Sequence, residues 1–144
     1  MKRILPFFLL SVLLAAQLVG CSSAGQIDDL SHTAYVEIRA FSRVDQSYTD
    51  YVISDYQVVD RLCATFNALT LEKVRITQPL AMGYTLLFYD HAHRPVDSVS
   101  IAFGNEHYVD YQGQLYRVTS DPDPADYLAD LLVTQTPLET TSPS

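Results

Sequence analysis

The stretch between residues 84 and 119 constrains the fold most, because apolar and polar residues alternate along it in several short runs. Alternation with a period of two is typical of a strand with one buried face, and it predicts four strands, over 84–89, 96–103, 107–111 and 115–119. Gly104 and Gly113 lie in the two shortest connections, where glycine adopts a positive φ without steric cost. We therefore expect an antiparallel meander, packed on one face and wet or lightly covered on the other.

Two helices are predicted outside the meander. Over residues 55–69, apolar residues recur at the helical spacings of three and four, at Val59, Leu62, Phe66 and Leu69. The quartet SDYQ, which begins at Ser54, fits a capping box in which Ser54 is the N-cap and Gln57 reaches back to it. A second helix is predicted over 124–133, with Asp123 as its N-cap and a proline at its first position.

Three more strands complete the predicted order. Residues 35–44 and 48–53 alternate and are joined by a short polar turn, and residues 71–77 read as a strand that Pro79 ends. The resulting order is β-β-α-β-β-β-β-β-α. This order predicts an α+β domain with a mostly antiparallel sheet and its helices on one face.

The amino-terminal leader is typical of a secretory signal. Lys2 and Arg3 precede an apolar run over residues 4–18, and small residues follow at its end. A membrane-spanning helix needs about 20 predominantly apolar residues, and this run is shorter and contains a proline and a glutamine. A membrane helix that stays attached to the protein is the alternative interpretation.

The quartet Leu18-Val19-Gly20-Cys21 resembles the lipobox of bacterial lipoproteins. The resemblance implies cleavage between Gly20 and Cys21, and a diacylglycerol on the Cys21 sulfur together with an N-acyl lipid such as palmitate. No other cofactor is implied. Two or more acyl chains make a stable membrane anchor. A chance Gly-Cys pair after an ordinary secretory signal is the alternative.

The lipobox divides the chain into four predicted parts. These are a signal peptide over 1–20, a lipidated flexible tether over 21–33, one α+β globular domain over 34–133, and a disordered Thr/Ser/Pro tail over 134–144. With Cys21 acylated, Cys63 is the only other cysteine, so no intrachain disulfide is possible. In a Gram-positive host the protein would lie on the outer face of the cell membrane. In a Gram-negative host Ser22 would direct it to the outer membrane.

The charge of the mature chain argues against two classes of partner. Loss of Lys2 and Arg3 leaves seven basic residues against 17 acidic ones, which is a net charge of −10. Nucleic acids and anionic lipid headgroups are recognised by basic patches, so we expect no nucleic-acid partner and a membrane contact made through the lipid.

One cluster has the residue types of a metal site. His91 and His93 follow Asp90 and project to the same side of an extended segment, where they would share a cation if His107 or Glu106 supplied a further ligand. The alternative is a solvated polar loop. Cys63 lies near the apolar face of the first predicted helix, and we expect it to be a core residue rather than a reactive thiol.

Ten tyrosines are present and no tryptophan. Their rings predict either a platform for sugars or peptides or simply the strand preference of tyrosine; the candidates are Tyr48, Tyr51, Tyr56, Tyr84, Tyr89, Tyr108, Tyr111 and Tyr116. The sequence contains no nucleophile elbow, zinc-protease motif or phosphate loop, so we predict no catalytic residue and no enzyme activity.

The stretches LLFYDHAHRPVDSVSIAFGN and YQGQLYRV resemble, in pattern, the hairpins of small uncharacterised lipoproteins of Gram-positive bacteria. His93 occupies a turn position where those proteins commonly have glycine, and the resemblance implies no activity. The sequence therefore predicts a membrane-anchored extracytoplasmic lipoprotein that is a non-catalytic module of the cell envelope. It would bind an envelope protein, peptide or glycan, or serve as an accessory subunit. The alternative is a metal-binding protein or metal-dependent enzyme that uses His91 and His93.

Overall fold

The computed structural model describes residues 24–141, which form one antiparallel sheet of nine strands and two helices. The elements in chain order are β1 (Ala24–Gly25), β2 (Tyr35–Ser42), β3 (Ser47–Ile53), α1 (Tyr56–Asn67), β4 (Leu71–Lys73), β5 (Ala81–Tyr89), β6 (Pro95–Phe103), β7 (His107–Tyr111), β8 (Gln114–Val118), α2 (Pro124–Val133) and β9 (Glu139–Thr141). Across the sheet the strands lie in the order β1-β4-β8-β7-β6-β5-β2-β3-β9. The predicted α+β class, the antiparallel meander and the order of elements from β2 to α2 are confirmed.

The two helices begin at aspartate caps. The predicted capping box at Ser54 is wrong, because Asp55 is the N-cap of α1 and its Oδ1 accepts hydrogen bonds from the backbone N–H groups of Gln57 and Val58 at 2.9 and 3.1 Å. The carboxylate of Asp55 satisfies two of the helix's otherwise unpaired N–H groups. Asp123 caps α2 as predicted and accepts from the N–H of Ala125 at 2.8 Å.

A single hydrophobic cluster contains buried residues of the sheet and of both helices. Strand register places Val36 beside Ile53 on one side and Phe88 on the other, and all three are buried. The ring of Phe66 in α1 meets Phe88 edge-on, with 6.1 Å between ring centroids, and Leu128 in α2 is fully buried in the same cluster. Because burying one such side chain contributes about 1.5–3 kcal/mol, this cluster is the main source of the domain's stability.

The segment predicted as a flexible tether is folded from residue 24 onward. Strand β1 pairs with β4, and Ile27 and Leu30 are each only 1% exposed. Asn67, at the end of α1, accepts a hydrogen bond from the N–H of Leu30 at 3.2 Å and donates one to the carbonyl of Asp28 at 2.7 Å. Residues 24–33 therefore belong to the folded domain and contribute Ile27 and Leu30 to its core, so the tether prediction is wrong for this part.

The predicted disordered tail also contains structure. Strand β9 pairs with β3, and just before it the N–H of Leu138 donates to the carbonyl of Asp50 at 2.8 Å. The predicted signal peptide and the predicted cleavage site at Gly20 and Cys21 lie outside the described residues. Neither described helix has the length and apolarity that crossing a bilayer requires.

Candidate functional site

The face of the sheet opposite the hydrophobic cluster carries a groove of about 430 Å³. Strand β2 runs along its floor, because register places Glu37 between Val52 and Leu87, and Arg39 between Asp50 and Thr85. The residues that line this open-face groove are Glu37, Ile38, Arg39, Asp50, Tyr51, Val52, Thr85, Leu87 and Leu138. Four different stretches of chain therefore meet at one surface.

Arg39 and Asp50 form an ion pair in the open-face groove. Arg39 donates to both carboxylate oxygens of Asp50, from Nε at 2.7 Å and from Nη2 at 2.8 Å. The hydrogen bonds from Arg39 hold the pKa of Asp50 below its ordinary value, and the same contact raises the pKa of Arg39. The guanidinium also lies 5.7 Å from the ring centroid of Tyr48. A bidentate ion pair of this kind has a defined geometry, so the N–H groups and lone pairs that it leaves unused point in fixed directions.

Aliphatic side chains form the walls of the open-face groove. Val52, Leu87 and Leu138 are 39, 36 and 65% exposed, although large apolar residues are usually buried when a core is near. The groove thus combines exposed apolar surface with a few oriented polar groups, which is the composition of sites that bind another molecule.

The tyrosines do not form one platform. Register places Tyr84 beside Ala40 on the packed face and Tyr48 beside Phe41 on the open face, while Tyr56 lies exposed on α1. The one parallel stack among the described residues joins Tyr35 and Tyr89, whose centroids are 4.9 Å apart. Strand preference therefore explains the tyrosines better than a shared ring surface does.

The histidine hairpin is organised as a turn. Asp90 accepts hydrogen bonds from the N–H groups of Ala92 and Arg94 at 2.8 and 3.0 Å, and the Arg94 N–H is the main cause of a lowered Asp90 pKa. His93 has a φ of 58°, the conformation in which glycine is favoured, and its Nδ1 lies 3.1 Å from the hydroxyl of Tyr35. His91 is exposed. The hairpin thus gives each histidine a different environment.

His107 lies at the other end of the meander from this hairpin. It pairs with Phe103, which is separated from Pro95 by the whole of β6, or about 27 Å at the usual rise per strand residue. The predicted partnership of His107 with His91 and His93 is therefore wrong.

A different group of metal-ligand side chains surrounds His107. Its Nδ1 lies 2.8 Å from Oδ1 of Asp123, and Asp126 adds a carboxylate oxygen, with the three ligand atoms within 4.8 Å of one another. Within residues 24–141 no other group of three such side chains is this close. One imidazole and two carboxylates suit a divalent cation with open coordination positions. Because Asp123 also caps α2, a hydrogen bond that fixes His107 against the helix explains the same contact.

Cys63 is a buried free thiol, as predicted. Burial raises its pKa above the ordinary value, so at neutral pH it is protonated and a poor nucleophile. It serves the core of α1 rather than any surface chemistry.

Comparison with known protein families, curated proteins and solved structures finds no match to this chain. Local geometry is therefore the ground for assigning a site. Sequence reasoning missed the open-face groove because its residues come from β2, β3, β5 and the segment before β9. The available signal was the alternation of Glu37 and Arg39 with apolar residues in β2, which marks a polar strand face but not its neighbours.

Proposed function

We propose that this protein is a membrane-anchored extracytoplasmic lipoprotein, held by acyl chains on Cys21, whose domain is a non-catalytic binding module of the cell envelope. The observation that carries the binding role is the open-face groove, where Val52 and Leu87 remain exposed beside the ion pair of Arg39 and Asp50. The quartet that ends at Cys21 supports the anchor.

In this proposal both helices cover the same face of the sheet and leave the other face available. The shared cluster supports this arrangement, because Phe66 of α1 and Leu128 of α2 belong to one core with Val36 and Phe88. Strands β2, β3 and β5 then present the open-face groove as a rigid surface, and sites on rigid elements bind more selectively than sites on loops.

The proposed occupant is an extended segment of another envelope protein. Aliphatic walls accept an aliphatic side chain, and the ion pair and Glu37 offer polar contacts next to it. Sugars favour a flat aromatic surface, but the exposed walls at Val52, Leu87 and Leu138 are aliphatic, and Tyr51, the aromatic residue of the lining, packs partly against the core. A polypeptide therefore fits the groove better than a sugar does.

Two experiments test the two halves of this proposal. Mass spectrometry of the cell-made protein is expected to find acylated Cys21 as the first residue, and Cys21→Ser is expected to stay unacylated. Crosslinking in cells followed by capture of the full chain is expected to recover a protein partner. Leu87→Asp should lose that partner, whereas Val44→Asp, at a 98% exposed turn outside the groove, should keep it.

An intact Met1 on the cell-made chain contradicts the anchor. Equal capture by Leu87→Asp and Val44→Asp contradicts the groove. Capture of envelope glycan instead of protein, with the same sensitivity to Leu87→Asp, would keep the groove and replace the occupant.

Binding of a divalent cation is a second candidate function, favoured by the grouping of His107 with Asp123 and Asp126. Calorimetric titration of the purified chain with zinc is expected to show one site that His107→Gln removes and His91→Gln keeps. Loss of zinc binding in His91→Gln but not in His107→Gln would indicate that the metal site lies in the hairpin. An absence of heat in the unaltered chain contradicts this candidate.

A further inference from the structure

The described domain begins very close to the predicted anchor. Only Ser22 and Ser23 separate Cys21 from Ala24, which is already paired in β1. Three peptide steps span at most about 11 Å even when fully extended. The Cα atom of Cys21 therefore stays within about 11 Å of the Cα atom of Ala24, whatever conformation these residues adopt. The sulfur adds only the length of one cysteine side chain to that distance.

The first described residues are firmly held. A Cβ at Gly25 would lie 2.2 Å from the ring of Tyr116, so the ring covers this strand closely. Beyond it, Ile27 and Leu30 are buried, and the N–H of Asp28 donates to the hydroxyl of Tyr111 at 3.1 Å. Residues 24–30 could detach from the domain, and so lengthen its connection to Cys21, only by exposing buried core residues.

Cations lie at the same border of the sheet. Register pairs Ala24 with Glu72, and Lys73 is the next residue of β4, with Arg75 two positions further. Both are exposed, and neither makes an ion pair with any residue in the described range. Lys73 is the only lysine outside the leader. Basic side chains next to a lipid anchor are attracted to anionic headgroups, even though the mature chain as a whole is acidic.

We propose that the edge of the sheet formed by β1 and β4, the β1–β4 border, faces the membrane. Lys73 and Arg75 then contact the lipid headgroups. This inference rests on the proposed lipidation of Cys21. The net charge of −10 repels the rest of the domain from an anionic bilayer, which favours this upright orientation. Strand β9 then lies about 38 Å across the sheet from the border, by the usual strand spacing.

This orientation places the open-face groove away from the lipid. Strands β2, β3 and β5 lie on the far side of the sheet order from β1 and β4. A partner that reaches the groove would therefore approach from the aqueous side, without competition from headgroups.

The test uses the full lipidated chain, made in cells with Cys63→Ala and reconstituted in vesicles of phosphatidylethanolamine and phosphatidylglycerol. A fluorophore is attached at Gln26→Cys, beside β1, or at Leu138→Cys; both positions are exposed, and both labels leave Lys73 and Arg75 in place. Lipids with a headgroup quencher are expected to quench the label at position 26 several-fold more than the label at 138. Arg75→Gln should weaken quenching at position 26 on these vesicles but not on phosphatidylcholine.

An insertion before β1 tests whether the short connection to Cys21 is needed for this orientation when the basic residues are kept. About 20 residues of Gly-Ser placed between Ser23 and Ala24 add a mean span of about 25 Å, so quenching at positions 26 and 138 should become similar. Equal quenching without the insertion overturns the upright orientation while leaving the lipid anchor in place. A chain that mass spectrometry shows to be unacylated overturns the anchor and this inference together, so the two failures are distinguishable.

Discussion

The hydroxyl of Tyr111 lies 3.1 Å from the backbone nitrogen of Asp28, a residue 83 positions earlier in the chain. The same hydroxyl donates to Oδ2 of Asp97 at 2.6 Å and lies 3.0 Å from Nε2 of Gln112. One side chain at the end of β7 thus fastens the beginning of the domain to the meander.

Replacement of this tyrosine is expected to loosen that junction. Tyr111→Phe leaves the N–H of Asp28 and the carboxylate of Asp97 without their partner, and we expect a loss of about 1–3 kcal/mol in the free energy of unfolding. Urea denaturation measures the loss. Tyr116→Phe is the matched control, because the Tyr116 hydroxyl makes no hydrogen bond with the described residues, and its effect should stay below about 0.5 kcal/mol. Equal effects would contradict the junction.

Truncation of Leu30 distinguishes a folded segment from a flexible one. Leu30 is 1% exposed, so Leu30→Ala is expected to cost about 2–5 kcal/mol through lost burial and the cavity left behind. Leu138→Ala, at a 65% exposed position, should change stability by less than about 0.5 kcal/mol. Thermal and urea denaturation report both values. A neutral Leu30→Ala would restore the flexible tether.

Alkaline pH is expected to destabilise the domain. Burial raises the pKa of Cys63 above its ordinary 9.0, and burial together with donation to Asp97 raises the pKa of Tyr111 above its ordinary 10.0. Since the unfolded chain releases these protons first, the stabilising contribution is complete below pH 9.0 and declines as the pH rises past each ordinary value.

Denaturation midpoints measured across this range test the assignment. Cys63→Ala should flatten the decline that begins near pH 9.0, and Tyr111→Phe should flatten the part above pH 10.0. Midpoints that rise with pH in the unaltered chain would reverse the sign of the effect and refute it.

Two glutamines with the same backbone strain are expected to respond differently to glycine. Gln46 and Gln112 both have a φ of 52°, a left-handed conformation that costs an L-residue about 1–2 kcal/mol. Gln46→Gly should raise stability by up to about 1 kcal/mol, because glycine's greater freedom in the unfolded chain cancels part of the gain. Gln112→Gly should gain less or lose stability, since the side chain of Gln112 donates to Asp28 and Tyr111. Matched urea curves decide between them.

Local patterns predicted the elements, and long-range contacts supplied what those patterns missed. The spacing of Val59, Leu62 and Phe66 is visible in any helical window, and these residues are buried on α1 as expected. Ile27 and Leu30 lie in a polar, aperiodic segment, and their burial depends on Asn67 and Tyr111, which are distant in sequence. Nothing local marks such residues as core.

The open-face groove was hidden for a related reason. Its ion pair is already local to one hairpin, because Arg39 and Asp50 face each other across β2 and β3. Leu87 joins them only because β5 pairs with β2 after α1 and β4 have intervened in the chain. Register between strands that are not consecutive is a property of the whole fold, so no window of sequence contains it.

Within the described residues, β9 pairs with Tyr48, Thr49 and Asp50 of β3, which is a strand of seven residues. An uncovered strand of this length invites neighbouring molecules to add themselves by backbone hydrogen bonding. Strand β9 occupies part of that backbone, so its removal is expected to promote aggregation between copies of the chain.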